Sequence, residues 1–161
     1  MKIVDNFFDP TYFKELQSFF LDQPTRIPWF FVPTMNKEHS QDNTMSYFEH
    51  LVYQEHPNSD FYNFLEPLVD LFRMKELIRI KCNCYTATEK LVTHPSHKDY
   101  DFTHKGAIIS INNCDGYTLL QDGTKVNSVA NRVLFFDPSE MHSSTNCTNQ
   151  KARFNINVNY F

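Results

Sequence analysis

Apolar residues recur at helical spacing in the first part of the chain. Asp9 followed by Pro10 is typical of a helix N-cap and first helical position. A second helix is predicted from near Ser59 and should bend at Pro67. The first predicted helix has an apolar stripe of Tyr12, Phe13, Leu16, Phe19 and Phe20, and the second one of Phe61, Phe64, Leu65, Leu68, Val69 and Phe72.

The hydrophobic period changes to two from residue 77 onward. Successive strands are predicted at residues 77–85, 107–112, 117–120, 132–136 and 152–160, with polar, turn-rich links between them. Shorter apolar runs at residues 29–32 and 45–53 also suit strands. The polar stretch between these two runs, residues 34–44, is predicted to be a mobile loop.

Helices first and strands later predict a mainly β chain of the α+β class, folded as a jelly roll. In the last strand, apolar side chains alternate with polar ones, so the two sets lie on opposite faces. The apolar face should meet the helices on the outside of the major sheet, and the polar face should line a cavity. The apolar set is Phe154, Ile156, Val158 and Tyr160, and the polar set is Arg153, Asn155, Asn157 and Asn159.

Length and composition predict one domain over residues 1–161. Residues 1–76 are expected to supply helical support and substrate-side elements, and residues 77–161 the jelly-roll core. The net charge of −4 and the scattered basic residues argue against a nucleic-acid partner. We find neither a signal-peptide pattern nor an apolar run of the ~18 residues needed to cross a bilayer, so a cytoplasmic protein is expected.

The candidate chemistry begins with His97-Lys98-Asp99 and continues with His142 and Arg153. A His and an Asp two positions apart on an extended segment point to the same side, and a distant His completes the 2-His-1-carboxylate set of non-heme Fe(II) oxygenases. Arg153 would hold the far carboxylate of a chelating cosubstrate. The order of the four residues along the chain makes the combination more specific than any of its parts.

Each candidate also has a simpler interpretation. His97-x-Asp99 alone fits a solvated loop, His142 a turn, and Arg153 a structural pair with an acid, with Lys151 as the substitute anchor on the same face. Other polar residues are interpreted as lying outside the site. His94 and Asp101 are expected at its rim, and His39, His50, His56 and His104 at the surface.

From residue 77 to its C-terminus the chain resembles the 2-oxoglutarate- and Fe(II)-dependent oxygenases of the prolyl 4-hydroxylase type, in particular short phage-encoded members. The matching text is LIRIK at 77–81, HKD at 97–99, AIISIN at 107–112, DGYT at 115–118, VANRVLFF at 129–136, His142, and RFNINVNYF at 153–161. The segment DNFF at 5–8, with the helix after it, also suits the family's N-terminal support.

The resemblance implies a double-stranded β-helix in which His97, Asp99 and His142 bind Fe(II) and Arg153 pairs with 2-oxoglutarate. O2 is the second cosubstrate, and ascorbate is a candidate cofactor. Tyr85 matches a position that lines the cosubstrate pocket. Ser110 stands where related enzymes often carry a Tyr that helps to hold the cosubstrate carboxylate, so it departs from the pattern and is a candidate hydrogen-bond donor only.

The resemblance favours hydroxylation of a peptidyl proline or another protein side chain, with residues 34–53 and 95–104 as walls of the substrate groove. A small-molecule hydroxylase acting on a free amino acid is the main alternative. A jelly-roll binding module without turnover and a cupin-like metalloenzyme without 2-oxoglutarate also stay open. The location would be the host cytoplasm if the protein is phage-encoded, and the sequence leaves the oligomeric state undetermined.

Overall fold

The structure is a computed structural model that describes residues 1–22, 26–33 and 45–161. The loop predicted at residues 34–44 lies outside the described residues. Within the described residues, no helix is both long and apolar enough to cross a membrane.

The N-terminal helix α1 spans Pro10–Leu21 and begins as its sequence predicts. The carboxylate of Asp9 accepts hydrogen bonds from the backbone N–H of Thr11, at 2.9 Å, and of Tyr12, at 3.3 Å. These contacts satisfy two of the free N–H groups at the helix N-terminus. The cap and the proline at the first position therefore fix where α1 starts.

The second predicted helix is in fact two short helices, α2 at Phe61–Leu65 and α3 at Leu68–Leu71. Pro67 lies between them, where its ring and its missing N–H interrupt the helical ladder rather than merely bending it. The apolar stripe is nevertheless continuous, because Phe61, Leu65 and Leu68 are all buried in the same core.

Eleven strands are present in the described part of the chain. They are β1 (Lys2–Val4), β2 (Phe30–Val32), β3 (Tyr47–Gln54), β4 (His56–Pro57), β5 (Leu77–Thr86), β6 (Lys105–Ser110), β7 (Tyr117–Leu120), β8 (Lys125–Asn127), β9 (Arg132–Phe136), β10 (His142–Ser144) and β11 (Ala152–Tyr160). The predicted strands are all found, whereas β1, β4, β8 and β10 were not predicted. These four contain two or three residues each, too few to show a period.

The strands form two antiparallel sheets. The major sheet has the order β1-β9-β6-β11-β5-β3-β2, with β4 paired to β3, and the minor sheet has the order β10-β7-β8. The segment before Asp99 extends the minor sheet through isolated antiparallel bridges of Thr93 to Thr145 and of His97 to His142. This mainly β architecture of antiparallel sheets with few helices fits a jelly roll.

The two faces of β11 have opposite surroundings. Ile156 and Val158 lie in the main core, and the ring of Phe154 lies 5.8 Å from that of Phe20 on α1. The alternate side chains of the strand, Arg153, Asn155, Asn157 and Asn159, are also buried although all are polar. Buried polar side chains need hydrogen-bond partners, so this row marks a second interior with its own polar network.

Candidate metal and anion site

His97, Asp99 and His142 come together in space. One potential ligand atom from each lies within 4.8 Å of the others, a spacing that a single metal ion could bridge. The two histidines are held by a backbone bridge, in which the N–H of each donates to the carbonyl of the other at 2.9 Å. Asp99 is anchored separately by a 2.9 Å hydrogen bond from its N–H to the carbonyl of Pro138.

The ring orientation of both histidines leaves Nε2 available. Nδ1 of His142 lies 3.0 Å from the carbonyl oxygen of Glu140, and Nδ1 of His97 lies 3.4 Å from that of Pro95. A carbonyl can only accept, so Nδ1 carries a hydrogen, and in the neutral form of either ring Nε2 is the nitrogen that can bind a metal. Burial and the neighbouring His142 lower the pKa of His97 to about 4, which favours the neutral imidazole that a metal requires.

The carboxylate of Asp99 is held in a fixed orientation by three side chains. Arg79 Nη2 donates to Oδ1 at 2.8 Å, while the amides of Asn157 and Asn159 donate to Oδ2 at 3.0 and 2.9 Å. Burial alone would raise the pKa of Asp99, but the charge of Arg79 and the amide hydrogen bonds hold it well below its usual range. Asp99 is therefore an ionised and oriented carboxylate.

This donor set fits a divalent transition metal. Two neutral imidazoles and one carboxylate on one side of an ion are the protein ligands of a facial triad, which leaves the remaining positions open. His142 is buried, and His97 and Asp99 are partly exposed. Of the three candidate ligands, only His97 has a substantially exposed side chain, at 31%, whereas the side chain of Asp99 is 4% exposed.

Arg153 lies behind the cavity wall, in contact with the lining residues Ser144 and Thr118, and is 1% exposed. Its Nη1 donates to Ser144 Oγ and to the Thr145 carbonyl, each at 3.0 Å, and its Nη2 donates to Thr118 Oγ1 at 3.0 Å. Burial lowers the pKa of Arg153. No carboxylate among the described residues forms an ion pair with it, which disfavours the interpretation of a structural arginine paired with an acid.

The surroundings of Arg153 leave little free space. A Cβ added at Gly116 would lie 2.7 Å from Arg153 Cδ and 2.4 Å from the Asn146 carbonyl oxygen. Only glycine allows such a close approach of the backbone to the arginine stem. Lys151, the substitute anchor, is exposed and precedes β11.

Tyr85 contributes a wall of the cavity next to Arg153. The guanidinium carbon of Arg153 lies 5.7 Å from the centroid of the Tyr85 ring, and Tyr47 stacks on that ring at 5.2 Å. Ser110 is buried on β6 and is paired in register with Asn155. Ile108, two residues earlier on the same face, lines the cavity.

The cavity is narrow, with a volume of about 20 Å³. Its lining residues are Lys81, Asn83, Tyr85, His97, Asp99, Ile108, Thr118, His142, Ser144, Asn155 and Asn157. Thr118 and Ser144 line it and also accept hydrogen bonds from Arg153, so the metal ligands and the guanidinium belong to one site.

Sequence reasoning missed the charged side chains that β5 and β3 contribute. Lys81 Nζ lies 3.2 Å from Glu49 Oε2 and 5.7 Å from the centroid of the Tyr47 ring. Burial lowers the pKa of Lys81, and the carboxylate of Glu49 opposes that effect. The period-two pattern of β5 could have revealed Lys81 and Arg79, because both alternate with the buried Ile80 and Cys82.

Several histidines were placed wrongly from the sequence. His94 is buried rather than at the rim, its ring lies 5.1 Å from that of Tyr85, and neither ring nitrogen has a hydrogen-bond partner in the described part of the chain. His50 and His104 are buried rather than at the surface, the latter with Nε2 lying 3.1 Å from Asn159 Nδ2. His56 and Asp101 are exposed, and His39 lies outside the described residues.

No protein-family model matches the sequence, and no curated protein sequence matches it. Solved structures do resemble the fold. An oxidoreductase of the 2OG-Fe(II) oxygenase family from Burkholderia pseudomallei aligns with a TM-score of 0.73 and 11% identity, over 98% of this chain and 83% of its own.

Two further neighbours differ in what they bind. A prolyl hydroxylase from Trichoplax adhaerens, in complex with a hypoxia inducible factor peptide fragment, has a TM-score of 0.68 at 16% identity and covers 99% of this chain and 82% of its own. The epimerase SnoN, in complex with Fe3+, alpha ketoglutarate and nogalamycin RO, has a TM-score of 0.68 at 10% identity. The alignment covers 99% of this chain and 77% of the SnoN chain. At these identities the comparisons show that the chain shares the fold of 2-oxoglutarate-Fe(II) oxygenases.

Proposed function

We propose that this protein is an Fe(II)- and 2-oxoglutarate-dependent dioxygenase that hydroxylates an unactivated C–H bond. The observation that carries the proposal is one cavity that is lined by a 2-His-1-carboxylate group and by Thr118 and Ser144, the two hydroxyl residues that accept hydrogen bonds from the buried guanidinium of Arg153. In this proposal residues 1–161 form one oxygenase domain with a double-stranded β-helix core. Residues 1–76 support the outer face of the major sheet, which agrees with the ring contacts of Phe20 to Phe154 and of Phe72 to Tyr160.

His97, Asp99 and His142 would hold the iron, and their orientation is fixed before the metal arrives. The backbone bridge joins the histidines, and the Arg79, Asn157 and Asn159 contacts orient Asp99. When bound, Fe(II) with 2-oxoglutarate and O2 supplies the oxidising chemistry. The protein contributes coordination, orientation of the reactants and exclusion of water.

Arg153 would bind the carboxylate of 2-oxoglutarate that is remote from the metal. A buried guanidinium without a carboxylate partner is costly, and an anionic ligand would compensate its charge. Its hydrogen bonds to Thr118 and Ser144 hold the fork in place and bring two hydroxyls to the same end of the cavity. These contacts to the cavity wall favour a 2-oxoglutarate enzyme over a cupin-like metalloenzyme that lacks the cosubstrate.

The first test is anaerobic addition of Fe(II) and 2-oxoglutarate to the purified protein. A visible charge-transfer band that needs both components would support the assignment. Absence of the band, together with absence of succinate formation in air, would reject it. A protein that forms the complex but yields no succinate with any substrate would be the binding module without turnover.

The proposed substrate is a peptidyl prolyl or another protein side chain. Aromatic surfaces near the cavity support this choice, since aromatic faces suit proline rings and cationic groups. Tyr100 and Phe102 form a stacked pair at 5.1 Å in the 95–104 segment, and Phe102 is 46% exposed.

A free amino acid is the second candidate substrate, and one observation favours it. Lys81 lines the cavity and pairs with Glu49 at 3.2 Å, and a zwitterion could exchange partners with this ammonium and carboxylate. The assay adds proline-rich peptides, free amino acids and oligonucleotides in parallel to 2-oxoglutarate turnover. The substrate class is the one that raises succinate output with a matching hydroxylated product.

A further inference from the structure

Arg79 lies directly beside the candidate metal ligand Asp99. Its Nη2 is 2.8 Å from Oδ1 of Asp99, and the same oxygen lies 3.9 Å from Nε2 of His97. The guanidinium therefore contacts the carboxylate oxygen that is near the histidine pair. A full positive charge is thus placed next to the position that a divalent cation would occupy.

The other oxygen of Asp99 is already engaged. Oδ2 accepts one hydrogen bond from the amide of Asn157 and one from the amide of Asn159. Two N–H donors occupy the two lone pairs of this oxygen. Asp99 is consequently disposed to bind metal through Oδ1 alone, and the two amides can hold its orientation without help from Arg79.

Arg79 is itself held in place. Its Nε donates to Oδ1 of Asn159 at 3.2 Å, and its guanidinium carbon lies 5.2 Å from the centroid of the Tyr100 ring. Its side chain is 15% exposed. These contacts oppose movement of the guanidinium away from Asp99 when a metal binds.

The charged side chains around the cavity also disfavour binding of a divalent cation. Arg79, Lys81 and Arg153 are three cations, whereas Asp99 and Glu49 are two carboxylates. These five side chains together carry a net positive charge before any metal is present. A divalent cation gains less from such a site than from one in which the carboxylate is free.

We propose that Arg79 weakens metal binding by sharing Oδ1 of Asp99 with the metal. The inference rests on the proposed function, because it assigns Asp99 as a ligand. Its consequence is that the metal alone is held loosely, so that occupancy of the site depends on the dianionic cosubstrate. Most residues that contact a ligand strengthen metal binding, and their loss typically costs about 10–100-fold in affinity. Arg79 is expected to act in the opposite direction.

The test is titration of the purified protein with Co(II), without 2-oxoglutarate, followed by calorimetry and by the visible spectrum of the bound ion. Arg79→Gln and Arg79→Met remove the charge, and we expect each to tighten Co(II) binding by about tenfold or more. Arg79→Lys keeps the charge and should stay within about threefold of the parent protein. Arg132→Gln is the matched control. Arg132 lies on β9, pairs with Asp5 and does not line the cavity. Far-UV circular dichroism and thermal unfolding verify that each variant is folded.

Weaker or unchanged Co(II) binding in both folded neutral variants would overturn the inference, because Arg79 would then only orient its neighbour. The proposed function would survive that result as long as the parent protein binds Co(II). If neither the parent protein nor any variant bound Co(II), both the proposed function and the inference would be rejected. Using two neutral variants of different shape keeps the test valid if one of them fails to fold.

Discussion

His97 and His142 share an antiparallel β-bridge in which each backbone N–H donates to the other's carbonyl at 2.9 Å. The two candidate ligands come from segments far apart in the sequence, yet a single pair of hydrogen bonds fixes the distance between their rings at 4.5 Å. The spacing of the ligands is thus set by the backbone of the minor sheet. Side-chain replacement should therefore remove a ligand without separating the segments.

Replacement of either histidine by alanine is expected to abolish firm metal binding while leaving the fold intact. The loss should exceed the roughly 10–100-fold typical of residues that merely contact a ligand. Co(II) or Fe(II) titration of His142→Ala measures it, and His56→Ala is the control because His56 is exposed. Metal affinity of His142→Ala equal to that of the control would place the metal site elsewhere.

Arg153→Ala is expected to weaken 2-oxoglutarate binding by about 2–5 kcal/mol and to leave metal binding nearly unchanged. The reason is that Arg153 contacts hydroxyls and a carbonyl of the cavity wall and none of the three candidate metal ligands. Separate titrations with Co(II) and with 2-oxoglutarate measure the two affinities. Lys151→Ala is the matched control, and equal losses of both affinities in Arg153→Ala would indicate a structural arginine.

The spacing of the ligands and the alternation of the last strand were accessible from the sequence, because each depends on residues close together in the chain. A His and an Asp two positions apart, and Arg153 on the polar face of β11, follow from the geometry of an extended chain. The cap of α1 at Asp9 was equally local. The sequence alone thus predicted β11, which carries Arg153, but not β10, which carries His142.

The polar network around the ligands could not be predicted in the same way. Arg79 and Asn159 lie side by side at Asp99 because β5 and β11 are neighbours in the major sheet, and strand order is not encoded in the period of either strand. The burial of His94 and His104 depends on the same long-range packing. A polar residue type predicts an exposed side chain, but contacts between distant segments can bury such a side chain.

Phe20→Ala is expected to destabilise the fold by about 3–5 kcal/mol, since it removes a fully buried ring from the core. Phe20 is 2% exposed, and its ring lies 5.8 Å from that of Phe154 and 6.1 Å from that of Trp29. Leu21→Ala on the same helix should cost less than about 1 kcal/mol, because Leu21 is 44% exposed. Urea unfolding of the two variants measures the difference, and similar losses would show that α1 does not support the sheet.

Gly116→Ala tests whether the Arg153 fork needs the space that glycine leaves. The new methyl group would lie 2.4 Å from the Asn146 carbonyl oxygen and 2.7 Å from Arg153 Cδ, so the arginine stem and the backbone must both shift. We expect a loss of about 1–3 kcal/mol in stability, together with weaker 2-oxoglutarate binding.

Gly123→Ala is a suitable control, because Gly123 has a φ of +85° and no neighbouring atom within 4 Å of the added Cβ. The Gly123→Ala substitution strains a turn, so it should lower stability without changing the affinity for 2-oxoglutarate. Unfolding and 2-oxoglutarate titrations of both variants separate the two effects, and unchanged cosubstrate affinity in a folded Gly116→Ala variant would show that Arg153 tolerates displacement.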